Sequence, residues 1–190
     1  MPLEARETTL PGVLLLQPRV FPDDRGFFCE TYRANELAAV GIDEAFVQDN
    51  HSRSTRGVLR GLHFAIGEGS SKLVRCGRGR IWDVVVDLRA GSPTYGKWEG
   101  FELTDENMQV LYVPVGFGHG FCVLSEVADT LYKQSAYYDT AVERGIAWND
   151  PQVSVEWPLP VEEIVVSERD TTAPLLAQLA DELPFTYTAG

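Results

Sequence analysis

Basic side chains are in short supply: 16 Lys and Arg stand against 28 Asp and Glu, giving a formal charge of −12 and a pI near 4.6. A chain of that sign repels nucleic-acid phosphates over most of its surface, so no nucleic-acid partner is expected, and any anionic ligand must be small and held in a locally basic pocket. No stretch approaches the roughly 18 uninterrupted apolar residues that a membrane-crossing helix needs. The opening Met1 to Leu10 carries Glu4, Arg6 and Glu7 where a signal peptide would be apolar. The expectation is a cytoplasmic chain without a membrane partner. Cysteine is scarce too. Cys29, Cys76 and Cys122 are odd in number, far apart and without zinc-site spacing, which leaves buried free thiols as the expected role. There is no internal repeat, low-complexity tract or linker, and 190 residues is little more than one domain of about 150. One domain over 1–190 is therefore expected, large enough to hide roughly 70% of its unfolded surface.

What is present in quantity is a two-residue alternation of apolar and polar side chains, in segments of about five to nine residues separated by Gly, Pro, Asn and Asp. The segments are 12–17, 27–33, 46–52, 58–64, 72–76, 80–88, 98–103, 108–113, 120–124, 130–138 and 153–157. Two short helices are expected, over 36–40 with Asn35 as N-cap and Gly41 after its end, and over about 174–183. So many short strands predict an all-β chain, a sandwich or small barrel. Parity sorts the side chains. On 80–88, Trp82, Val84, Val86 and Leu88 share an apolar face while Asp83 and Asp87 share the other. On 130–138, Tyr132, Gln134, Ala136 and Tyr138 share a face, and on 46–52 Phe46, Gln48 and Asn50 oppose Val47, Asp49 and His51. Faces that mix tyrosine or amides with apolar residues suit either the lining of a polar cavity in a β-barrel or a solvated strand face.

Three histidines are candidates for acid–base work near neutral pH. His51 falls on the outward parity beside Ser52 and Arg53 and reads as a surface residue. His63 sits near the end of an apolar strand where a hydrophobe would be expected. His119 lies in the glycine-dense run Pro114-Val115-Gly116-Phe117-Gly118-His119-Gly120-Phe121, where backbone can approach a ligand closely. A satisfied core histidine is the alternative for both.

The Pro-x-Gly-x-x-His run resembles the second motif of the cupin superfamily, whose jelly-roll barrels often hold a metal. Metal cupins usually supply His-x-His and a Glu from the first motif, and Gly61 stands two residues before His63, so no metal or other cofactor is expected. Further motifs make the resemblance specific: Asp24-Arg25-Gly26-Phe27-Phe28-Cys29-Glu30, Phe46-Val47-Gln48-Asp49-Asn50-His51-Ser52, the segment 57–64, Lys72-Leu73-Val74, 83–89, 116–121, Leu131-Tyr132-Lys133 and Trp148-Asn149-Asp150-Pro151. In this order and spacing, from about residue 12 to 176, they closely resemble the dTDP-4-dehydrorhamnose 3,5-epimerases. The resemblance implies a metal-independent cupin jelly roll, a homodimer, and a dTDP-linked 4-keto-6-deoxyhexose as substrate.

Carried over by position, His63 resembles the base, Asp170 the carboxylate that orients its imidazole, and Tyr132 the general acid. Lys72 and Arg60 match positions facing the sugar oxygens. Arg25 and Arg169 match phosphate-binding positions. Glu30, Gln48 and Asn50 resemble the nucleoside-contacting set, and His119 and Glu143 match further ligand-side positions. Tyr138 shares Tyr132's face and would stack on the base or bound the sugar. In that family the first strands cross to the partner subunit, which would put Arg25 and Glu30 in the neighbour's site. Three departures stand out: Ala65 where the family commonly has Gln, Ser70-Ser71 where it has Gln-Gly, and Arg169 where it has Lys. They leave open a C3-only or C5-only epimerase of a natural-product sugar. Readings from other classes are a metal-dependent cupin oxygenase or isomerase and a non-catalytic sugar-nucleotide-binding sandwich.

Overall fold

Alternating side chains have two faces to satisfy, and the chain does so with two antiparallel sheets laid face to face. The computed structural model describes residues 3–188; Met1, Pro2, Ala189 and Gly190 lie outside the described residues. The larger sheet has the order β1 (Glu4–Glu7), β2 (Leu14–Gln17), β10 (Val110–Val113), β7 (Lys72–Arg78), β12 (Val127–Gln134) and β5 (Gln48–Thr55). The smaller runs β13 (Glu143–Gly145), β6 (Leu59–Ala65), β11 (Phe117–Val123), β8 (Arg80–Asp87) and β9 (Trp98–Thr104). Strands distant in sequence are neighbours in both, the arrangement of a cupin jelly roll. The pair β3 (Val20–Asp23) and β4 (Gly26–Cys29) forms a separate hairpin.

The core between the sheets is built from Leu15, Val74, Ile81, Val85, Leu111, Phe117, Phe121 and Val123, all buried. The apolar face of β8 points away from it. Val84, Val86 and Leu88 pack outward beneath Ile146, Val153, Leu176, Leu179 and Phe185, so the C-terminal segment forms a second layer over the smaller sheet. The acidic parity of β8, with Asp83, therefore faces the interior.

Several expected elements differ. The strand over 27–33 ends at Cys29, and the chain turns into α1 (Ala34–Ala38), capped by Arg33 and not Asn35, whose amide oxygen instead accepts from Arg33 Nε at 3.1 Å. No strand forms over 153–157, because Ser154 takes φ of 54°, a left-handed backbone that breaks extension. The strand over 130–138 stops at Gln134, and the helix over 174–183 is a single turn, α3 (Leu176–Leu179), followed by the 3₁₀ turn Ala180–Glu182. Elements without an alternating signal were β1, wholly exposed, β3, which contains Pro22, three-residue β13, and α2 (Glu168–Thr171). Cys76 and Cys122 are buried free thiols with pKa values pushed up to about 11 by burial; Cys29 is free but half-exposed.

Candidate active site

Between the sheets, at the end where β5 and β12 face β6 and β13, opens a cavity of about 530 Å³. A glycine pair shapes its wall. On β6 and β11, His63 pairs with His119 and Arg60 pairs with Phe121, so three steps along β6 match two along β11: a β-bulge. Strict alternation would send Arg60 and His63 to opposite faces. The bulge turns both into the cavity. It requires close backbone contact at Gly61, where φ is +123° and an added Cβ would lie 2.5 Å from Gly120 Cα. The position that carries a histidine in metal cupins thus has no room here for any side chain.

His63 Nε2 lies 2.6 Å from Asp170 Oδ1. Asp170 arrives on α2, which begins at the N-cap Ser167, whose hydroxyl accepts from Asp170 N at 3.2 Å. Burial works to raise the Asp170 pKa, but the bond to His63, the Ser167 hydroxyl and the Gly61 N–H outweigh it and hold the carboxyl below its usual range. Lys72, first residue of β7, is buried and its Nζ donates to His63 O at 3.3 Å. Burial lowers its pKa, while the charges of Glu143 and Asp83 partly restore it. Tyr132, projecting from the opposite sheet, is held above the usual phenol range by burial and then by the charge of Glu143. Behind the wall, Asp83 is fully buried, with both oxygens 2.9 Å from His119 Nε2. Burial raises the Asp83 pKa and lowers that of His119. The cavity thus offers an imidazole with a carboxylate behind it, a protonated phenol on the facing wall and a buried cation bonded to the carbonyl of His63. This set can remove a proton from carbon, hold the charge on oxygen and return a proton.

The sequence profile described as dTDP-4-dehydrorhamnose 3,5-epimerase matches residues 7–178. The chain belongs to this family. A dTDP-4-dehydrorhamnose 3,5-epimerase of Pseudomonas aeruginosa is 50% identical over 169 residues, 88% of this chain and 93% of that protein. The crystal structure of a dTDP-6-deoxy-D-glucose-3,5-epimerase from Legionella pneumophila, in complex with dTDP-4-keto-L-rhamnose, is similar with a TM-score of 0.94 at 41% identity, covering 98% of this chain and 100% of that one. A dTDP-4-dehydrorhamnose 3-epimerase of Streptomyces niveus is 41% identical over 181 residues, 94% of this chain and 86% of that protein.

Of the positions matched to the dTDP-4-dehydrorhamnose 3,5-epimerases, His63, Asp170, Tyr132, Lys72, Arg60, His119, Tyr138, Glu143 and Arg169 line this one cavity. Arg169 Nη2 lies 3.7 Å from Glu143 Oε1. Tyr138 lies beyond the end of β12, so it reaches the rim by a turn and not by strand parity; its N–H donates to Gln48 Oε1 at 2.8 Å. Gln48 and Asn50 stand one layer back, both donating to Gln134 Oε1, at 3.3 and 3.0 Å, while Gln134 itself lines the cavity. Arg25 and Glu30 are elsewhere. Arg25, with a side chain 89% exposed, pairs with Asp23 at the tip of the β3–β4 hairpin, and Glu30 pairs with Arg33 at 3.4 Å. His51 is exposed, 3.6 Å from Asp129. Sequence reading missed Ser52 and Ser167 in the lining and Asp83 behind it. The Ser-x-x-Asp spacing of 167–170 was a signal for α2, and the acidic parity of β8 was one for Asp83. Among the described residues no helix is long and apolar enough to cross a membrane.

Proposed function

We propose that this protein converts dTDP-4-dehydro-6-deoxy-D-glucose to dTDP-4-dehydro-L-rhamnose by epimerisation at C3 and C5, in dTDP-L-rhamnose biosynthesis. The observation that carries the reading is the His63–Asp170 pair at 2.6 Å on one wall, with Tyr132 on the facing wall and Lys72 lining the same cavity. Both reacting hydrogens are α to the C4 ketone, so removal of either leaves an enolate with its charge on O4. In the D-gluco chair both are axial on the same ring face. One base therefore serves both carbons and one acid on the other face serves both.

With Nε2 turned to Asp170, His63 Nδ1 is the nitrogen that takes the proton, and Asp170 stabilises the imidazolium. Lys72, with Arg60, stabilises the charge on O4. Tyr132, whose raised pKa keeps it protonated, delivers a proton to the opposite face. Arg169 meets the diphosphate and Tyr138 the nucleoside, with Gln48 and Asn50 acting from behind through Gln134 and Tyr138, and Glu143 closing the sugar side. Arg25 and Glu30 serve the cavity of a second copy, which makes the protein a homodimer whose hairpins are exchanged between sites.

The test is proton NMR of dTDP-4-keto-6-deoxyglucose with the protein in heavy water. Loss of both the C3 and C5 signals is expected; His63→Ala abolishes both losses, whereas Tyr132→Phe retains exchange and loses net inversion. A His63→Ala variant as active as the parent would remove this mechanism. Exchange at one carbon alone would move the chain to the mono-epimerases, the second reading, favoured by Ala65, Ser70 and Ser71 at the rim and by the Streptomyces niveus 3-epimerase relative.

A further inference from the structure

The cavity wall carries a second histidine–carboxylate pair that the reaction just described does not use. His119 and His63 are direct cross-strand partners on β11 and β6, and each turns Nε2 to a buried carboxylate: His63 to Asp170, His119 to Asp83. The two pairs differ in setting. The His63 side chain is 25% exposed and that of His119 only 7%, and Asp83 is wholly buried and forms no part of the cavity lining. Asp83 reaches His119 as its diagonal neighbour across β8 and β11, since Asp83 pairs with Phe121 two residues on.

We propose that Asp83 is a positioning residue for hexose recognition: by accepting Nε2–H of His119 it fixes the tautomer whose unprotonated Nδ1 faces the cavity as an acceptor for a sugar hydroxyl. The inference rests on the epimerase reading of the site. A carboxylate can only accept, so its partner nitrogen carries the hydrogen. The remaining ring nitrogen, Nδ1, is then bare in the neutral ring, and it is the only polar side-chain atom His119 has left for a ligand. Burial favours that neutral ring by lowering the His119 pKa, and the nearby Lys72 charge acts in the same direction. The surrounding groups show why an acceptor matters. Lys72, Arg60, Arg169 and Tyr132 offer donors to the cavity, and the carboxylate of Glu143 in its lining is paired with Arg169 at 3.7 Å, whereas a hexose hydroxyl also has a hydrogen to give. Because His119 is in register with His63, Nδ1 serves the hexose end of the ligand and not the nucleotide. A second base is not required, since both carbons lose their hydrogens from one face.

The experiment has two readouts on the full protein. With only three histidines in the chain, a long-range proton–nitrogen correlation spectrum of ¹⁵N-histidine-labelled protein is assignable from single substitutions. The expected result at neutral pH is His119 as the neutral Nε2–H tautomer. Asp83→Asn, whose amide can donate to Nε2, shifts the population towards Nδ1–H. Its KM for dTDP-4-keto-6-deoxyglucose rises about tenfold, the equivalent of one lost hydrogen bond, while kcat and the inhibition constant of dTDP stay within about twofold, the pattern of lost ground-state binding. A structural role alone would weaken dTDP and kcat as well. If Asp83→Asn does not fold, the parent spectrum still decides: His119 protonated at Nδ1 in an active enzyme overturns the proposal, as does an unchanged KM in a folded variant. A parent that turns over no dTDP-hexose sinks the epimerase reading instead, and the tautomer measurement tells the two failures apart.

Discussion

Lys72 is a cation largely shielded from water, and its chemistry follows from that. Burial lowers its pKa below the usual lysine value of 10.5, and only the carboxylates of Glu143 and Asp83 oppose the shift. Tyr132 is displaced the other way, above 10. As pH rises, Lys72 loses its charge, and with it the stabilisation of O4, below its ordinary range, while Tyr132 keeps its proton beyond its own. The alkaline limb of kcat/KM is expected to begin below pH 10.5, and Lys72→Met should lower kcat/KM by about 10²–10³, as loss of one oxyanion-stabilising donor does elsewhere, and should remove that limb. A pH–rate profile whose alkaline limb survives the substitution would assign it to another group. Among these residues the histidines were legible early, because a titratable side chain in an apolar strand or a glycine-dense turn is out of place. Asp170 was not legible from its surroundings: it lies 107 residues from His63, and only the family motif joined the two.

At the scale of elements, the informative feature is the bulge between β6 and β11. Period-two parity correctly placed Tyr132 with Gln134, Gln48 with Asn50, and His51 outside. It cannot place Arg60 with His63, which an alternating strand keeps on opposite faces. An inserted residue breaks the period, and its sequence mark, Gly61 opposite Gly120, is visible only once the strands are paired. Gly61→Ala puts a methyl within 2.5 Å of the Gly120 backbone at a φ that disfavours L side chains. A cost of at least about 2 kcal/mol is expected, a fall in Tm of roughly 4–8 °C for a chain of this size, with activity reduced because His63 and Arg60 move together. A thermal melt within about a degree of the parent would show that the bulge yields without strain. The short elements α2 and β13 escaped sequence reading for a related reason. Four and three residues are too few to display a period, and tertiary contacts, His63 to Asp170 and Gly145 to His63, hold them in place.

For the whole molecule, the acidic total of −12 conceals a cavity where Lys72, Arg60 and Arg169 converge, which is how a chain of this sign accommodates a nucleoside diphosphate. The all-β class was readable from alternation alone, while the order of strands was not, since neighbours such as β7 and β12 are far apart in sequence. The hairpin of β3 and β4 exposes Phe21, Phe27 and Phe28, an arrangement that fits burial against a second copy. Exchange of hairpins has a distinctive consequence. A sample of Arg25→Ala alone and one of His63→Ala alone should both be impaired, but mixed dimers of the two should recover activity, because under the proposed exchange the His63-bearing cavity receives Arg25 from the other copy. Activity in co-expressed mixtures equal to the sum of the separate variants would place Arg25 outside the neighbour's site.

Every strand of both sheets is complete by Gly145, whereas the carboxylate behind His63 comes with residue 170. During synthesis the ribosome releases all the strands, with the cavity's histidines, lysine and tyrosine, before it releases the aspartate. The base of the site is thus made 107 residues ahead of the carboxylate that orients it.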